Sequence, residues 1–595
     1  MDIWFHPARE LDAVVRAAAA RTPGFEGEFA PEIRPADPRF GDFQANGVLG
    51  FAKARKQNPR AMGTALAETL KADPALDSSL IQIDVAGPGF VNFKFTAKFL
   101  LEWLRCYRGE KDFHEAAGEL YRGHTLVADY PSPNVAKQMH VGHLRPMVIG
   151  EAVSRLLAFC GGKVIRDNHL GDWGTNFGVL ILALRESGEQ ILSDPDAALA
   201  QLERLYKSGS FKATDKNSPW ADAARAELVK LQNGDPENTR IWEQIVAVSN
   251  QAAEVVYKML GVTIEHTLGE SFYRDKVDLI YRELTECGLA EISEGALVVF
   301  HPEHPRFKKD AENPNPFIIR KSDGASNYAS TDLATVLYRV ETWHADETIY
   351  FTDGRQRDHF EQLFLTVSKW FAATKRKTPR VRHVWWGTIL GSDGKAIKTK
   401  SGESLKLLDV LAEAQARALA IVAEKNPDLP EAEKTNIARV VGLGAVKYAD
   451  LRQDRTSDYE FAWDKLLALD GNTAPYLLYA VARIHSIFRK AELPVDDAVR
   501  EATASALESP AEIALARKLV ALPSVLESTL ADLRPHVLCT YLHELAGEFS
   551  TFYAADRVNV EDKSIQARRL LLCARTLRVL ETGLHTLGLE TLERM

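Results

Sequence analysis

The chain has 595 residues, a net charge of −9, 46% hydrophobic residues and 26% charged residues. This length predicts roughly three or four domains, and the composition is typical of a folded enzyme. The five cysteines form no CxxC pair, which argues against a disulfide framework or a zinc site. No apolar run is long enough to cross a bilayer, and the N-terminal segment lacks the basic start of a signal peptide. We therefore expect a cytoplasmic multidomain enzyme with no membrane partner.

The pattern along the chain predicts four regions. Residues 1–110 combine a first helix with the strand-like run IQIDVAGPGFVNFKF, as in a small α+β domain. Residues 111–395 alternate short apolar strands with helices, as a parallel α/β sheet does, and carry a polar helical insertion at about 190–250. Residues 396–455 predict a lysine-rich loop and a helical connection, and residues 456–595 predict an all-α domain.

Two sequence patterns support the assignment of the second and the last of these regions. The strand candidates of the second region are TLVADY, KVIRDNHL, ALVVF, PFIIRK, ETIYFT and VRHVWWGTIL. In the last region, apolar residues recur at steps of three and four, which predicts one buried face of a helix. The residues of that face are Leu538, Tyr541, Leu542, Leu545, Phe549 and Phe552.

The strand TLVADY leads into the segment PSPNVAKQMHVGHLR. Pro131 and Pro133 stop the strand, a helix is predicted to begin near His143, and two glycines at 161–162 end it. The next strand, KVIRDNHL, completes a strand–helix–strand unit. In such units ligands bind in the crevice at the carboxyl ends of the strands.

His140 and His143 are therefore predicted at a helix start, where backbone N–H groups and the helix dipole favour anions. Imidazoles three residues apart share one face of the first turn, and Gly142 lets a ligand approach the backbone. Such a pair can donate hydrogen bonds to a phosphate whose charge grows during a reaction. The short pattern HxGH is equally consistent with an ordinary capped helix, so it leaves a structural role open.

The surrounding residues favour the functional interpretation. The segment DYPSPNVAKQMHVGHLR resembles the signature of class I aminoacyl-tRNA synthetases, and that of the arginine enzymes in particular. The resemblance covers essentially the whole chain in order: GDFQAN, AGPGFVNF, NHLGDWGTNFG, ESFY, KSDGASNYASTDLA, DGRQRDHFEQLF, GNTAPYLLYAVARIHSI and LERM. It implies a Rossmann-like α/β class I catalytic domain, an α+β N-terminal additional domain and an all-α C-terminal anticodon-binding domain.

The resemblance also implies a pocket for arginine. A guanidinium group needs carboxylates and neutral acceptors around it. Asp332 and Asp129 are expected to pair with the charged groups of the substrate. Asp332 follows Tyr328 by four residues, so on a helix both would face one pocket. The residues implied for arginine are Asp129, Ser132, Asn134, Tyr328, Asp332 and Gln356.

For ATP, the resemblance implies His140, Gly142, His143, Gly171 and Asp172 as binding residues. Where many class I enzymes carry a KMSKS loop, this chain has the altered segment GTILGSDGKAIKTKSGES. Lysines on a mobile loop can close over a triphosphate, whereas a solvated basic loop is the alternative. The lysines expected to take part in catalysis are Lys137, Lys395, Lys398 and Lys400.

The two ends of the chain are implied to contact tRNA. The N-terminal run GDFQAN offers Phe43 for stacking and Gln44 and Asn46 for base edges. In the C-terminal region the implied contacts are Tyr476, Tyr479 and Arg483, although such aromatics also occur in ordinary cores. The implied partners are tRNA(Arg), L-arginine and ATP with Mg²⁺, without DNA or a protein-bound metal. A monomer is expected, and arginine activation is expected to need bound tRNA.

Three alternatives stay open at this point. A small-molecule nucleotidylyltransferase shares HxGH at a helix start, but such chains are usually far shorter and lack a helical C-terminal domain. A catalytically inactive tRNA-binding relative would not need His140, His143, Asn134 and Asp332, all of which are present. A synthetase for another amino acid is the nearest alternative, and a charging assay with each amino acid distinguishes it.

Overall fold

The structure is a computed structural model that describes residues 3–37, 39–215, 217–308, 315–391, 393–395, 397 and 405–595. The chain divides into two compact units. The first unit comprises Met1–Leu120, Leu469–Thr586 and Glu590–Met595, and the second comprises Tyr121–Ala468 and Leu587–Leu589.

The N-terminal segment folds as helices around a small antiparallel sheet. Its strands lie in the order β1-β2-β4-β3. The run IQIDVAGPGFVNFKF forms a hairpin, because Gly87 and Gly89 adopt positive φ values of 56° and 132° that reverse the chain. The elements are α1 (Pro7–Ala19), β1 (Ile33–Pro35), β2 (Phe43–Ala45), α2 (Gly47–Ala54), α3 (Pro59–Lys71), β3 (Ile81–Ala86), β4 (Phe90–Phe95), α4 (Ala97–Cys106) and α5 (Glu110–Ala117).

The second unit carries the predicted strand–helix alternation. Its elements are β5 (Thr125–Asp129), α6 (Leu144–Phe159), β6 (Lys163–Asn168), α7 (Asn176–Ser187), α8 (Pro195–Lys212), α9 (Pro219–Gln232), α10 (Pro236–Leu260), β7 (His266–Thr267), α11 (Glu270–Tyr273), α12 (Val277–Glu286), β8 (Ala290–Ser293), β9 (Ala296–Val299), β10 (Phe317–Arg320), α13 (Tyr328–Trp343), β11 (Glu347–Phe351), α14 (Arg357–Ala373), β12 (Arg380–Val384), β13 (Ile389–Leu390), α15 (Leu407–Lys425), α16 (Glu431–Leu451), β14 (Tyr459–Glu460) and α17 (Trp463–Leu466).

A five-stranded parallel sheet in the order β12-β11-β5-β6-β7 forms the centre of this unit. The candidates TLVADY, KVIRDNHL and ETIYFT, and the first half of VRHVWWGTIL, are confirmed as its strands. Strand β11 is buried along its whole length, as parallel strands covered on both faces are. The strand order reverses between β5 and its neighbour β11, which opens a crevice at their carboxyl ends.

The candidates ALVVF and PFIIRK were wrongly assigned to the parallel sheet. They are β9 and β10 of a separate antiparallel sheet in the order β10-β9-β8. Glu294 and Gly295, between β8 and β9, have φ values of 51° and 80°, as a tight hairpin turn requires. A parallel pair would need a crossover of a dozen residues or so, for which this connection leaves no room.

The polar insertion is a set of helices packed on α7. Each of α8, α9 and α10 starts with a capping side chain followed by proline, at Asp194, Ser218 and Asp235. Their apolar faces meet those of α7 in one cluster that includes Phe177, Leu202 and Ile245. These caps explain why a polar stretch folds as distinct helices.

The C-terminal segment is helical, as predicted. The predicted buried face is confirmed on α22, where its six residues are at most 3% exposed. Across the described part of the chain, no helix has the length and apolar composition needed to span a bilayer. The helices are α18 (Ala474–Ala491), α19 (Ala498–Thr503), α20 (Pro510–Val520), α21 (Leu522–Ala531), α22 (Pro535–Ala555) and α23 (Lys563–Thr586).

The first unit joins the N-terminal sheet to these C-terminal helices. Arg575 of α23 is fully buried and donates hydrogen bonds to the backbone oxygens of Leu104 (2.6 Å) and Arg108 (3.2 Å). It also forms an ion pair with Glu501 at 2.6 Å. Because the last carbonyls of a helix lack intrahelical donors, Arg575 satisfies the end of α4 from the other end of the chain.

Candidate active site

A cavity of about 1120 Å³ opens at the carboxyl ends of the central strands. The loop between β5 and α6 provides one wall with Asn134, Lys137 and His140. The loop after β6 contributes Gly171, and Glu270 of α11 also faces this cavity. The predicted crevice of the parallel sheet is therefore present, and it holds residues of several of the sequence motifs.

The two histidines of HVGH hold each other in place. They bracket a 3₁₀ turn at Val141–His143, with ring centroids 4.1 Å apart. The backbone N–H of Gly142 donates to Nδ1 of His140 at 3.1 Å, and the backbone N–H of His140 donates to Nδ1 of His143 at 3.1 Å. A ring whose Nδ1 accepts a hydrogen bond carries its proton on Nε2. The His140 ring is thus set to donate from Nε2, whereas Nδ1 of His143 also lies 3.3 Å from the backbone oxygen of His140.

The surroundings of these rings keep them uncharged. Burial, then the charge of His140, lowers the pKa of His143 to about 4. Burial also lowers the pKa of His140, and the nearby positive charges of Lys137 and Arg355 act in the same direction. The pair therefore offers fixed neutral donors in a positively charged neighbourhood.

Gly142 is required by this arrangement. A Cβ atom at Gly142 would lie 2.8 Å from Cε1 of His140, closer than real Cβ contacts allow. Any side chain there would push the His140 ring off the N–H group that orients it. The glycine of HVGH thus serves the imidazole beside it, in addition to the approach of a ligand.

Arg145, two residues after His143, anchors the start of α6. It is 1% exposed, forms an ion pair with the equally buried Asp450 of α16 at 3.1 Å, and donates to the backbone oxygen of Gly387 at 2.8 Å. The motif HVGHLR contains this arginine, but no role was predicted for it. Its contacts show that it fixes the histidine turn against α16.

Asp332 lies between two histidines. Its Oδ2 is 2.6 Å from Nε2 of His359, and its Oδ1 is 3.8 Å from Nε2 of His169. The ring of Tyr328 contacts His359 edge-on, with centroids 4.6 Å apart. Tyr328 and Asp332 lie four residues apart on α13, and His359 connects them. Gln356 is exposed at the residue before α14, in the same segment as His359.

Glu270 was not predicted, although its motif ESFY was noted. It lines the cavity, and burial raises the pKa of its carboxyl group to about 7, with the charges of Asp332 and Asp172 adding to the effect. His169 opposes this shift. When burial raises the pKa of a carboxyl group, an incoming cation stabilises its ionised form. The sequence signal was an acidic residue at the first position of a short motif, and only burial distinguishes it from a surface glutamate.

The expectation that Asp129 pairs directly with a substrate is not met by its geometry. Its carboxylate is 4% exposed, accepts a hydrogen bond from Ser132 Oγ at 2.8 Å, and forms an ion pair with Arg339 at 2.7 Å. Arg339 is fully buried and pairs with Asp167 as well, also at 2.7 Å. Because Asp129 is already paired with Arg339, its carboxylate stabilises the structure around the pocket and is not available to a substrate.

Asp172 requires a similar correction. Its buried carboxylate accepts hydrogen bonds from the backbone N–H (2.9 Å) and the hydroxyl (2.6 Å) of Ser271. It therefore joins the LGDWG loop to α11 instead of facing the cavity. Gly171 does line the cavity, and a backbone bridge places it beside Asn134, which is exposed there.

Of the four lysines predicted to take part in catalysis, the structure describes Lys137 and Lys395, and these two lie in different places. Lys137 is exposed and lines the cavity next to His140. Lys395 lies on an exposed turn, closed by a hydrogen bond from Gly391 N–H to its backbone oxygen at 2.8 Å, and is not among the cavity-lining residues described. Lys398 and Lys400 fall outside the described residues.

The candidate tRNA contacts at the N-terminal end differ in exposure. Phe43 is 9% exposed and packs on Phe95, with ring centroids 5.8 Å apart, so it is a core residue and not a free stacking surface. Gln44 donates to Asn92 at 2.8 Å, and Asn46 precedes α2. Phe40, three residues before Phe43, is 48% exposed.

The C-terminal candidates lie together on α18. Tyr479 is 49% exposed, Tyr476 contacts the ring of His543, and the guanidinium of Arg483 lies 4.6 Å from the ring centroid of Tyr553. Their spacing of three and four residues places them on one face of the helix.

Within the described ranges, no group of three or more His, Cys, Asp or Glu side chains is arranged to hold a metal ion. Magnesium keeps most of its waters and is commonly carried by substrate phosphates with one or two carboxylates.

Known proteins resemble this chain along its whole length. The family profile "tRNA synthetases class I (R), catalytic domain" matches residues 113–463. The profiles "Arginyl tRNA synthetase N terminal domain" and "DALR anticodon binding domain" match residues 9–95 and 477–595. The arginine–tRNA ligase of Chromobacterium violaceum is 42% identical over 566 residues, covering 95% of this chain and 96% of that protein. The arginine–tRNA ligase of Vibrio vulnificus is 41% identical over 589 residues, covering 98% of each.

Two solved structures have a similar fold over nearly the whole chain. The arginyl-tRNA synthetase from Plasmodium falciparum superposes with a TM-score of 0.81 at 25% identity, covering 100% of both chains. The arginyl-tRNA synthetase of Thermus thermophilus gives a TM-score of 0.80 at 24% identity, covering 99% of this chain and 100% of that one.

The parallel sheet, with the paired imidazoles of HVGH beyond the end of β5, is that of a class I aminoacyl-tRNA synthetase. The family profiles and the relatives, which together cover nearly every residue of the chain, show which family of class I synthetases it is. The chain belongs to the arginyl-tRNA synthetase family.

Proposed function

We propose that this protein is an arginine–tRNA ligase that forms arginyl-adenylate from L-arginine and ATP and transfers arginine to the 3′-terminal adenosine of tRNA(Arg). The observation that carries the proposal is one cleft lined both by His140, whose ring is held against that of His143, and by Glu270, whose buried carboxyl group lies near Asp332. The imidazoles suit a phosphate, and the carboxylates suit a guanidinium group.

Arginine would be recognised by its planar charged end. Asp332, held by His359, and Glu270, which lines the cavity, supply negative charge. Asn134 and Gln356 would add directional hydrogen bonds, and Tyr328 a wall beside His359. A neutral analogue such as citrulline would leave a carboxylate unpaired, so we expect it to be rejected.

In the first step, a carboxylate oxygen of arginine attacks the α-phosphorus of ATP. The bond from that phosphorus to the bridging oxygen breaks, and pyrophosphate leaves. Nε2–H groups of His140 and His143 would donate to the α-phosphate as its charge grows, and Lys137 would add positive charge from the same wall. Magnesium on the phosphates would neutralise part of their charge.

In the second step, the terminal 2′-hydroxyl of tRNA attacks the carbonyl carbon of arginyl-adenylate, and AMP leaves as the ester bond forms. The exposed face of α18 with Tyr479 and Arg483 is proposed to contact the anticodon side. At the N-terminal end, the exposed Phe40 suits base stacking better than the buried Phe43 does. We further propose a cytoplasmic monomer, which sedimentation at the mass of 66.1 kDa would show.

The test is a charging assay of the purified enzyme with each of the twenty amino acids and with citrulline. We expect arginine alone to be esterified to tRNA. Failure with arginine, or charging of another amino acid at a similar rate, would rule the function out. A variant in which both His140 and His143 are replaced by alanine should lose nearly all activity while retaining its fold by circular dichroism.

The need for tRNA in activation is tested separately. We expect pyrophosphate exchange with arginine and ATP only when tRNA is present. Rapid exchange by the tRNA-free enzyme would contradict this part of the proposal and leave the ligase activity standing.

A further inference from the structure

We propose that Lys406 is a phosphate-binding residue of the ATP site, in addition to the lysines of the sequence motifs. The inference deepens the proposed function and rests on it, since it concerns the same cleft. Lys406 follows the KTKSG segment and directly precedes α15, and none of the motifs identified in the sequence includes it.

The backbone of Lys406 is paired with that of His140. The N–H of Val141 donates to the oxygen of Leu405 at 2.8 Å, and the N–H of Leu407 donates to the oxygen of Met139 at 3.0 Å. These two bonds make His140 and Lys406 directly opposite partners in an antiparallel bridge. Side chains of such partners leave the same face, with Cβ atoms about 4.5–5.5 Å apart. The side chain of Lys406 therefore starts beside the His140 imidazole.

Lys406 lines the same cavity as His140 and Lys137 and is exposed to it. Among the residues described, no acidic side chain pairs with Lys406. Two other cations at this cavity differ from it: Arg204 pairs with Glu189 at 2.6 Å, and Lys207 pairs with Glu203 at 3.0 Å. An ammonium group without an internal acid, on a backbone fixed to the imidazole pair, is available to an incoming anion.

The reaction presents several ligand groups, and only some of them suit this position. The guanidinium of arginine would be repelled by Lys406 and attracted to Glu270. The phosphates of ATP carry the negative charge that Lys406, Lys137 and the Nε2–H group of His140 together favour. A phosphodiester of the tRNA 3′ end is the other anion of the reaction. ATP is favoured because Lys406 is fixed directly to His140, which the proposed function assigns to the α-phosphate.

The test compares three ligands that differ in their phosphates: ATP, inorganic pyrophosphate and adenosine. Binding to wild type and to K406A would be measured by calorimetry, and KM for ATP, arginine and tRNA by aminoacylation. A charge-assisted hydrogen bond to phosphate predicts that K406A weakens ATP and pyrophosphate binding about tenfold to a hundredfold. Adenosine affinity and the KM for arginine should stay within about twofold.

Two further variants complete the design. K406R keeps the charge and should restore most of the ATP affinity, whereas a purely structural role would not depend on charge. K425A removes an exposed lysine at the far end of the same helix and should behave as wild type. Unchanged ATP and pyrophosphate binding in K406A would overturn the proposal, as would a change confined to the KM for tRNA. Wild-type charging of tRNA with arginine tests the proposed function independently of either result.

Discussion

Gly142 and His140 show how one atom sets the geometry of the site. The absence of a Cβ at Gly142 leaves room for the His140 ring, which otherwise would meet it at 2.8 Å. The Gly142 N–H in turn fixes the tautomer of that ring. A catalytic donor is useful only when it is fixed before the charge develops, so this contact bears directly on rate.

We therefore expect G142A to lower kcat for aminoacylation by roughly 10²- to 10³-fold, the usual effect of losing one preorganised donor. Steady-state aminoacylation would measure it, with thermal unfolding to confirm that the fold is kept. G118A is a matched control, because a Cβ at Gly118 meets nothing within 4 Å. A G142A enzyme as fast as the control would show that the ring position does not matter.

If Glu270 binds arginine as proposed, we expect arginine binding to depend on pH. Its pKa of about 7 in the free protein means that it is partly protonated near neutrality, and the proposed function requires the ionised form to bind arginine. Binding must then release a proton below pH 7, so affinity falls as pH falls. We expect the Kd for arginine to rise roughly tenfold between pH 8 and pH 6.

Calorimetry at several pH values, in buffers of different ionisation enthalpy, would detect both the change in Kd and the released proton. The variant E270Q cannot ionise and should bind arginine more weakly, with a Kd that is nearly flat over the same range. The same pH dependence in E270Q would assign the proton to another group. His143 does not interfere, since its pKa of about 4 keeps it neutral throughout.

At the scale of secondary structure, Arg339 ties a helix to two strands. It projects from α13 and pairs with Asp129 at the end of β5 and Asp167 in β6. Burial, and then the charge of Asp129, raises the pKa of Asp167, while Arg339 opposes the shift. Two carboxylates this close and this deeply buried need the cation between them. Arg339 thus fixes the position of α13, and therefore of Asp332, relative to the sheet.

Replacing Arg339 by methionine should destabilise the second unit by about 3–5 kcal/mol, because it leaves two buried carboxylates without a partner. Urea unfolding followed by tryptophan fluorescence would measure the change. R282M, at an exposed position of α12, should fall within about 0.5 kcal/mol of wild type. A loss for R339M no larger than for R282M would show that the carboxylates are neutralised by other means. The loss should shrink at low pH, where the Asp167 carboxyl group, whose pKa is raised by burial, protonates.

At the scale of the whole molecule, the two ends of the chain form one compact unit. Arg575 connects the end of α4 with α19 and α23, and an ion pair between Asp42 and Arg517 at 2.8 Å adds a second link. Elements that are implied to contact two distant parts of one tRNA are thus built into a single body. Their stability should be coupled.

We expect R575L to loosen that body, because it leaves the backbone oxygens of Leu104 and Arg108 without this donor and removes one of the two arginines that pair with Glu501. Limited proteolysis should then cut the variant between the N-terminal segment and the second unit faster than wild type. R60L, at an exposed position of α3, provides the control. Equal cleavage rates would show that the N-terminal segment holds to the helices without this contact.

Local sequence patterns predicted several features of the protein. The strand–helix–strand unit around HVGH, the buried face of α22 and the family itself follow from residues close together in the chain. Proline and glycine punctuation, helical spacing and contiguous motifs are local signals, and the sequence records them directly. Tyr328 and Asp332 are likewise neighbours on α13, as their four-residue spacing predicts for a helix.

Tertiary structure alone decided which partner each side chain has. Asp129 and Asp332 are both motif aspartates, yet one is bound by Arg339 from 210 residues away and the other is held by His359 near Glu270. ALVVF and ETIYFT are both strand candidates by their sequence, yet they belong to different sheets. The joining of the chain's two ends is also beyond local patterns. Burial, ion pairing and strand pairing depend on residues far apart in sequence, and a single chain gives no local sign of which ones meet.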